Sequence, residues 1–131
     1  NILYDMDAIS RALGLSTAQM KALKRNTAGS KGTVVFAGIG ANGSVNYNTT
    51  TTTSSSTCYG HWFSTAGNVV GYDNSAAIYA ELSPDTYVCK LGQYPSRLSR
   101  GRTYIIRQAI IYTHTDGQQY RATMEVHLNT K

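Results

Sequence analysis

The stretch Thr103-Tyr104-Ile105-Ile106-Arg107-Gln108-Ala109-Ile110-Ile111-Tyr112-Thr113 decides the fold of this chain. Successive side chains of a strand point to opposite faces. Tyr104, Ile106, Gln108, Ile110 and Tyr112 therefore share one face, and Ile105, Arg107, Ala109 and Ile111 the other. Both rows are rich in apolar residues, which predicts a strand at least partly covered on both sides. Asp116-Gly117 supplies a turn. The return run alternates Tyr120, Ala122, Met124, Val126 and Leu128 with Arg121, Thr123, Glu125 and His127. That is a strand with one buried and one wet face.

Upstream the same pattern recurs in shorter pieces. Residues 33–37 are β-branched and apolar, Asn42-Gly43 is a hairpin turn, and 44–48 is the return strand. Residues 58–63, Val69-Val70, 76–82 and 87–91 read as further strands, with turns at Ala66-Gly67-Asn68 and Ser83-Pro84-Asp85. The run 49–57 holds threonine and serine with no core residue, so it is a low-complexity loop or an exposed edge. Residues 93–102 form a long basic loop. Roughly seven or eight short strands punctuated by turns predict a mainly β chain, an antiparallel β-sandwich of jelly-roll-like kind.

The N-terminal 1–27 reads as a helical segment of the same single domain, ahead of a sandwich over 33–131. Asp5 or Asp7 caps a first helix with Ile9, Ala12 and Leu13 on one face, and Gly14 fits the left-handed position that ends it. Ser16 and Gln19 make a capping box for a second helix that turns Met20 and Leu23 inward. Two such short helices do not hold in water alone and must pack on the sheets. The pair also has the spacing of a helix-turn-helix, with Lys21, Lys24 and Arg25 on its second helix. A third supporting helix is missing, so the expectation is a structural helix pair and no nucleic-acid partner.

The 131 residues carry 15% charged side chains, against ~25% in an average globular protein. Hydroxyl, amide and tyrosine side chains fill the gap, ten of them tyrosines. Net charge is +5, which permits contact with anionic glycans, membranes or nucleic acids. Two cysteines, Cys58 and Cys89, are either a disulfide or two separate thiols. No apolar run approaches the ~20 residues of a membrane span. The chain begins at Asn1 rather than Met and reads as a mature or trimmed piece.

Reactive constellations are sparse. No Gly-x-Ser-x-Gly elbow accompanies the three histidines, and Cys58 and His61, three apart on one strand, point to opposite faces. Nothing in the spacing of the seven acids suggests the paired carboxylates of a glycosidase. The glycines at 38, 40 and 43 mimic a dinucleotide fingerprint, but a hairpin follows them instead of a helix. No cofactor, metal or catalytic residue is expected, and the chain is not read as an enzyme. The remaining candidates are aromatic residues near loops with polar neighbours, the chemistry that stacks on and hydrogen-bonds to sugars. Trp62, Tyr94, Gln93, Arg97, Tyr59 and Asp73 form the expected ligand-binding set. Trp62 has two readings, ligand-facing or buried.

The segments Ala12-Leu13-Gly14-Leu15-Ser16, Gly60-His61-Trp62-Phe63 with Gly67-Asn68-Val69, Leu91-Gly92-Gln93-Tyr94-Pro95, and Tyr104 through Gln108-Ala109-Ile110-Ile111-Tyr112 resemble a family of domains of unknown function. That family occurs in secreted or lipid-anchored proteins of Bacteroidetes and related bacteria, often near glycan-degrading machinery. The resemblance spans nearly the whole chain. It implies an extracytoplasmic, non-catalytic β-rich module whose partner is a polysaccharide or oligosaccharide. Family members tend to carry an acid after the Trp-Phe pair, where this chain has Ser64. Its basic 97–107 region is richer than the family pattern, which fits an anionic glycan. Protein partners, met through an exposed sheet edge, are the alternative reading.

Overall fold

The computed structural model describes residues 2–21, 30–47, 50–52, 57–71, 75–83 and 88–131, with 2, 47, 50–52, 57–59 and 83 described by backbone alone. It is a mainly β sandwich with a short N-terminal helix pair. The elements run β1 (Ile2–Leu3), α1 (Met6–Leu13), α2 (Thr17–Lys21), β2 (Thr33–Ile39), β3 (Val45–Tyr47), β4 (Thr50–Thr52), β5 (Thr57–Phe63), β6 (Val69–Val70), β7 (Ile78–Ser83), β8 (Val88–Gln93), β9 (Thr103–Thr113) and β10 (Gln119–Asn129). A 3-10 turn at Pro95–Arg97 lies between β8 and β9. One sheet has the order β1-β8-β7-β5-β4 with β6 on β5, and the other has the order β10-β9-β2-β3.

Alternation builds the core as the sequence predicts. Tyr104, Ile106 and Ile110 of β9 face inward, beside Val34 and Phe36 of β2. Phe63, Ile78, Ala80, Leu82, Cys89 and Leu91 of the other sheet meet them. β9 is also buried on its outer face, where Ala109 and Ile111 cluster with Val35, Ala37 and Ile39. β10 answers with a half-buried inner row and an exposed outer row. Asn42-Gly43 turns β2 into β3, with Gly43 N–H donating to Gly40 O. Within the threonine run, 50–52 takes the edge reading and pairs with β5.

The helix caps are as read from the sequence. Asp5 Oδ1 accepts from Ala8 N–H at 3.0 Å, and Gly14 adopts φ 69°. Ser16 N–H donates to Gln19 Oε1 while Gln19 N–H donates to Ser16 Oγ. Two details differ. Ala12 is exposed, and the inward side of α1 is instead Met6 and Ser10 with Ile9 and Leu13 half-buried, a four-residue stripe that Ala12 misses. Before the helix, Ile2–Leu3 pairs with Leu91 and Lys90 as an unforeseen edge strand, too short to show periodicity. Leu23, Lys24 and Arg25 lie outside the described residues. The helices cover the core, α1 against β10 and α2 against β2.

Candidate functional site

Consecutive residues of β5 start two different structures. His61 points inward and Trp62 outward, because strand side chains alternate. On the outer face Trp62 stands opposite Tyr79 of β7, and Tyr79 stands opposite Gly92 of β8. The Tyr79 ring fills the space that a Cβ at position 92 would take, so any side chain there displaces the ring. The missing side chain lets the Tyr79 ring lie across β8 toward Tyr94, the two centroids 5.4 Å apart and the planes at 41°. Trp62 Nε1–H donates to Tyr94 Oη at 3.3 Å.

The 3-10 turn completes this face. Tyr94 N–H still donates to Ala77 O at 2.8 Å, so the chain holds to β7 one step past β8. Pro95 then turns it, and the Arg97 guanidinium returns to lie 5.2 Å from the Tyr94 ring centroid. Arg97 Nη1 also donates to Ala76 O. Tyr79 and Tyr94 are half-buried and Arg97 is exposed. Two tyrosine rings are thus fixed at the surface, one under a cation.

Trp62 is only 4% exposed. This settles its two readings for the buried one. Its ring is not a stacking surface, and its contribution is to anchor the Tyr94 hydroxyl. Gln93 precedes Tyr94 and points to the opposite face, where it borders clefts with Leu128 and Leu98. Tyr59 lies in register with Leu82 and is described by backbone alone. Asp73 lies outside the described residues. The structure therefore brings together Trp62, Tyr94 and Arg97 and adds Tyr79. The signal for Tyr79 was its place in β7 between inward Ile78 and Ala80, which makes it a same-face neighbour of Trp62.

Beside this face lies an open cleft of about 550 Å³ lined by Thr65, Ala66, Arg97, Ser99, Arg102, Thr103 and Tyr104. It sits where the β5–β6 turn of one sheet approaches the start of β9 in the other. Its floor is clamped. Ser99 N–H donates to Tyr104 Oη at 2.7 Å, and Arg102 N–H donates to Thr130 Oγ1 at 2.9 Å.

Inside the sandwich, His61 begins a polar chain. Gln108 Nε2–H donates to His61 Nδ1 at 3.1 Å, and Tyr4 Oη–H donates to Gln108 Oε1 at 2.5 Å. Phe36 packs edge-on against the imidazole at 4.8 Å. Burial lowers the His61 pKa to about 4, with the Asn46 backbone acting in the opposite direction. The ring is therefore neutral at physiological pH, with Nε2 carrying its proton. Burial likewise raises the Tyr4 phenol far above its ordinary range, and it pushes the Cys89 thiol up to about 12. Cys89 is a free, buried thiol. None of these three groups is suited to acid–base or nucleophilic work near neutrality. Among the described residues no group of three or more histidine, cysteine or acidic side chains could hold a metal ion. No helix of the described residues is long and apolar enough to cross a membrane.

Compared with known proteins, residues 1–118 match the model of one family, a domain of unknown function designated DUF4859. No curated protein matches the chain. No solved structure matches it either.

Proposed function

The chain belongs to the DUF4859 family, and from its geometry we propose that it is a non-catalytic, extracytoplasmic accessory module that binds a polysaccharide or oligosaccharide. One observation carries the reading: the Tyr79–Tyr94 ring pair, held from below by Trp62 and flanked by Arg97. Sugar rings present apolar C–H faces that stack on tyrosine, while their hydroxyls take hydrogen bonds from a guanidinium. The rings are fixed before a ligand arrives, so little side-chain entropy is lost on binding. The groups whose protonation burial shifts, Tyr4, His61 and Cys89, lie in the core, out of reach of a sugar on this face. The extracytoplasmic setting and the association with glycan utilisation come from the family resemblance and are part of the proposal.

The test is retention on polysaccharide-containing native gels, wild type against Tyr94→Ala and Tyr79→Ala, with duplex DNA at two salt concentrations as the control. We expect retention by at least one glycan class and its loss in both variants, each still folded by circular dichroism. Unchanged retention in folded variants sinks the reading.

A second reading, a protein-interaction module, is favoured by β10. This strand of 11 residues pairs β9 on one side, and among the described residues no strand pairs its other side. Long open edges recruit further strands. Concentration-dependent association, abolished by Val126→Pro, would favour this reading over the first.

A further inference from the structure

The inner row of β10 leaves the sandwich at its first residues. Ala122, Met124, Val126 and Leu128 are half-buried, while Tyr120 in the same row is 47% exposed. Tyr120 stands in register with Tyr112 of β9, and their rings stack with centroids 6.4 Å apart and planes at 23°. Tyr112 packs on the core and backs the Tyr120 ring from the protein side. His114 meets Tyr112 edge-on at 5.8 Å. Tyr112 therefore occupies one side of the Tyr120 ring, and the remainder of the ring meets water. A cross-strand aromatic pair accounts for the covered side. It does not account for the polar groups held beside the open one.

The β9–β10 turn fixes those groups. His114 N–H donates to Gln118 O at 2.8 Å and Gly117 N–H to His114 O at 2.9 Å, with Gly117 at φ 90°. Asp116 Oδ1 accepts from Gln118 N–H at 2.9 Å, and Asp116 N–H donates to His114 Nδ1 at 3.3 Å. The Gln118 side chain is tied to the ring itself, because Tyr120 Oη–H donates to Gln118 Oε1 at 3.2 Å. His114, Asp116, Gln118 and Tyr120 are all exposed. A backed ring with a carboxylate and an amide beside it matches the two sides of a sugar. The C–H face lies on the ring, and the hydroxyl edge meets groups that accept and donate. The Asp116 carboxylate accepts from hydroxyls and repels anions, so the sugar that fits is a neutral one.

This turn lies at the opposite end of β9 from the Tyr79–Tyr94 face. Arg97, which flanks Tyr94, shares a cleft with Thr103 at the start of β9, while Tyr112 stands at its end. The 11 residues of β9 separate the two places by about 30 Å, at ~3.3 Å per residue. We propose that Tyr120, Asp116 and Gln118 form a second sugar-binding position at the β9–β10 turn, one that takes a neutral sugar unit. It takes its ligand class from the glycan-binding reading above and stands on different residues. A polymer that reaches both positions is held more tightly than either position alone would hold it.

The test runs native gels containing xylan, mannan or galactan with wild type, Tyr120→Thr, Tyr120→Phe and Asp116→Asn, alongside Tyr94→Ala and Tyr79→Ala. In parallel, NMR follows the Tyr120 ring signals during titration with xylotetraose, mannotetraose, galactotetraose and galacturonate. Threonine suits a strand and removes the ring, while Asp116→Asn keeps an acceptor for Gln118 N–H. We expect retention on one polymer to fall about tenfold in Tyr120→Thr and less in Asp116→Asn, each folded by circular dichroism, and to stay near wild type in Tyr120→Phe. The Tyr120 signals should move with the tetrasaccharide of that polymer, in wild type and in Tyr94→Ala alike. Stationary Tyr120 signals, with retention indifferent to Tyr120→Thr and Asp116→Asn, overturn the inference and leave the Tyr79–Tyr94 face standing. Stationary signals with retention lost in Tyr120→Thr assign the ring to hairpin stability and overturn it as well. Movement with galacturonate and with no neutral tetrasaccharide overturns the neutral assignment. Signals that move with a neutral tetrasaccharide, in a protein whose retention is unchanged in Tyr94→Ala and Tyr79→Ala, keep the turn position and remove the Tyr79–Tyr94 face. Silence in both measurements removes both.

Discussion

His61 and Trp62 are neighbours in the chain and begin two chains of contacts on opposite faces of β5. Inward, His61, Gln108 and Tyr4 tie β5, β9 and the segment after β1 through one buried and one part-buried hydrogen bond. Outward, Trp62, Tyr94 and Arg97 tie β5 to the 3-10 turn through a hydrogen bond and a ring contact. Both chains mix aromatic and polar groups, yet their surroundings give them different tasks. In the dry interior an unmade hydrogen bond is costly, so the inner chain is expected to matter for stability. At the rim water replaces a lost partner cheaply, so the outer chain can be tuned for a ligand. The comparison breaks if an inner change alters binding in folded protein, or if an outer change unfolds the domain.

The largest effect is expected from Gln108→Leu. Gln108 is fully buried, and the substitution strands both His61 Nδ1 and the Tyr4 hydroxyl. Leaving buried polar groups unpaired costs about 1–3 kcal/mol each, so urea denaturation should show a loss of about 2–5 kcal/mol. Glycan retention per folded molecule should not change. A stability loss under about 0.5 kcal/mol would mean that the inner chain does not hold the two sheets together.

Acid probes the same chain without mutation. His61 is neutral in the folded state down to about pH 4, while in the unfolded chain it protonates below about 6.5. The unfolded state therefore binds more protons as pH falls through this window, and stability drops between pH 6.5 and 4. The span corresponds to about 3 kcal/mol at its limit. His61→Gln, which keeps an acceptor for Gln108, should flatten that slope in melting curves at pH 7 and pH 4.5. An identical slope in the variant would assign the acid loss to other groups.

How much of this the sequence could tell follows from the range of each cause. The β9 and β10 alternation, the caps at Asp5 and Ser16, and the left-handed Gly14 are set by residues within a few positions of one another, and all were legible. That His61 and Trp62 part to opposite faces was legible too, and the same rule separates Gln93 from Tyr94. What lies against each face was not. The burial of Trp62 and the pairing of Tyr79 with Gly92 depend on register across three strands, which no local pattern encodes. The Tyr4–Gln108 bond joins residues 104 positions apart.

On the outer face, Gly92→Ala should have the next effect. Its Cβ would press into the Tyr79 ring, which must rotate away from Tyr94. Overpacking of this kind costs about 1–3 kcal/mol, and a surface ring sits toward the lower end because it has room to move. Glycan retention should fall as far as in Tyr79→Ala, because the ring pair is lost while both rings remain. Full retention would show that the rings act singly. Tyr94→Phe is milder. It keeps the ring and removes the acceptor for Trp62 Nε1–H, a loss of about 1 kcal/mol in denaturant, with weaker retention through a looser ring.

The smallest effect should come from Lys90→Gln. Lys90 shares the outer face with Tyr79 and Gly92, two residues along β8, and its ammonium lies 3.2 Å from Glu81. Both side chains are more than a third exposed, so the pair is worth well under about 1 kcal/mol. Its interest is electrostatic. Glu81 already neutralises the Lys90 ammonium, and the Tyr79–Tyr94 pair carries the proposed contact, so retention in Lys90→Gln should be unchanged on neutral and on acidic polysaccharide alike. A loss on the acidic polymer alone would instead describe a diffuse field over the whole outer face, screened by salt over a Debye length of about 10 Å at 0.1 M, in place of contact at the two rings.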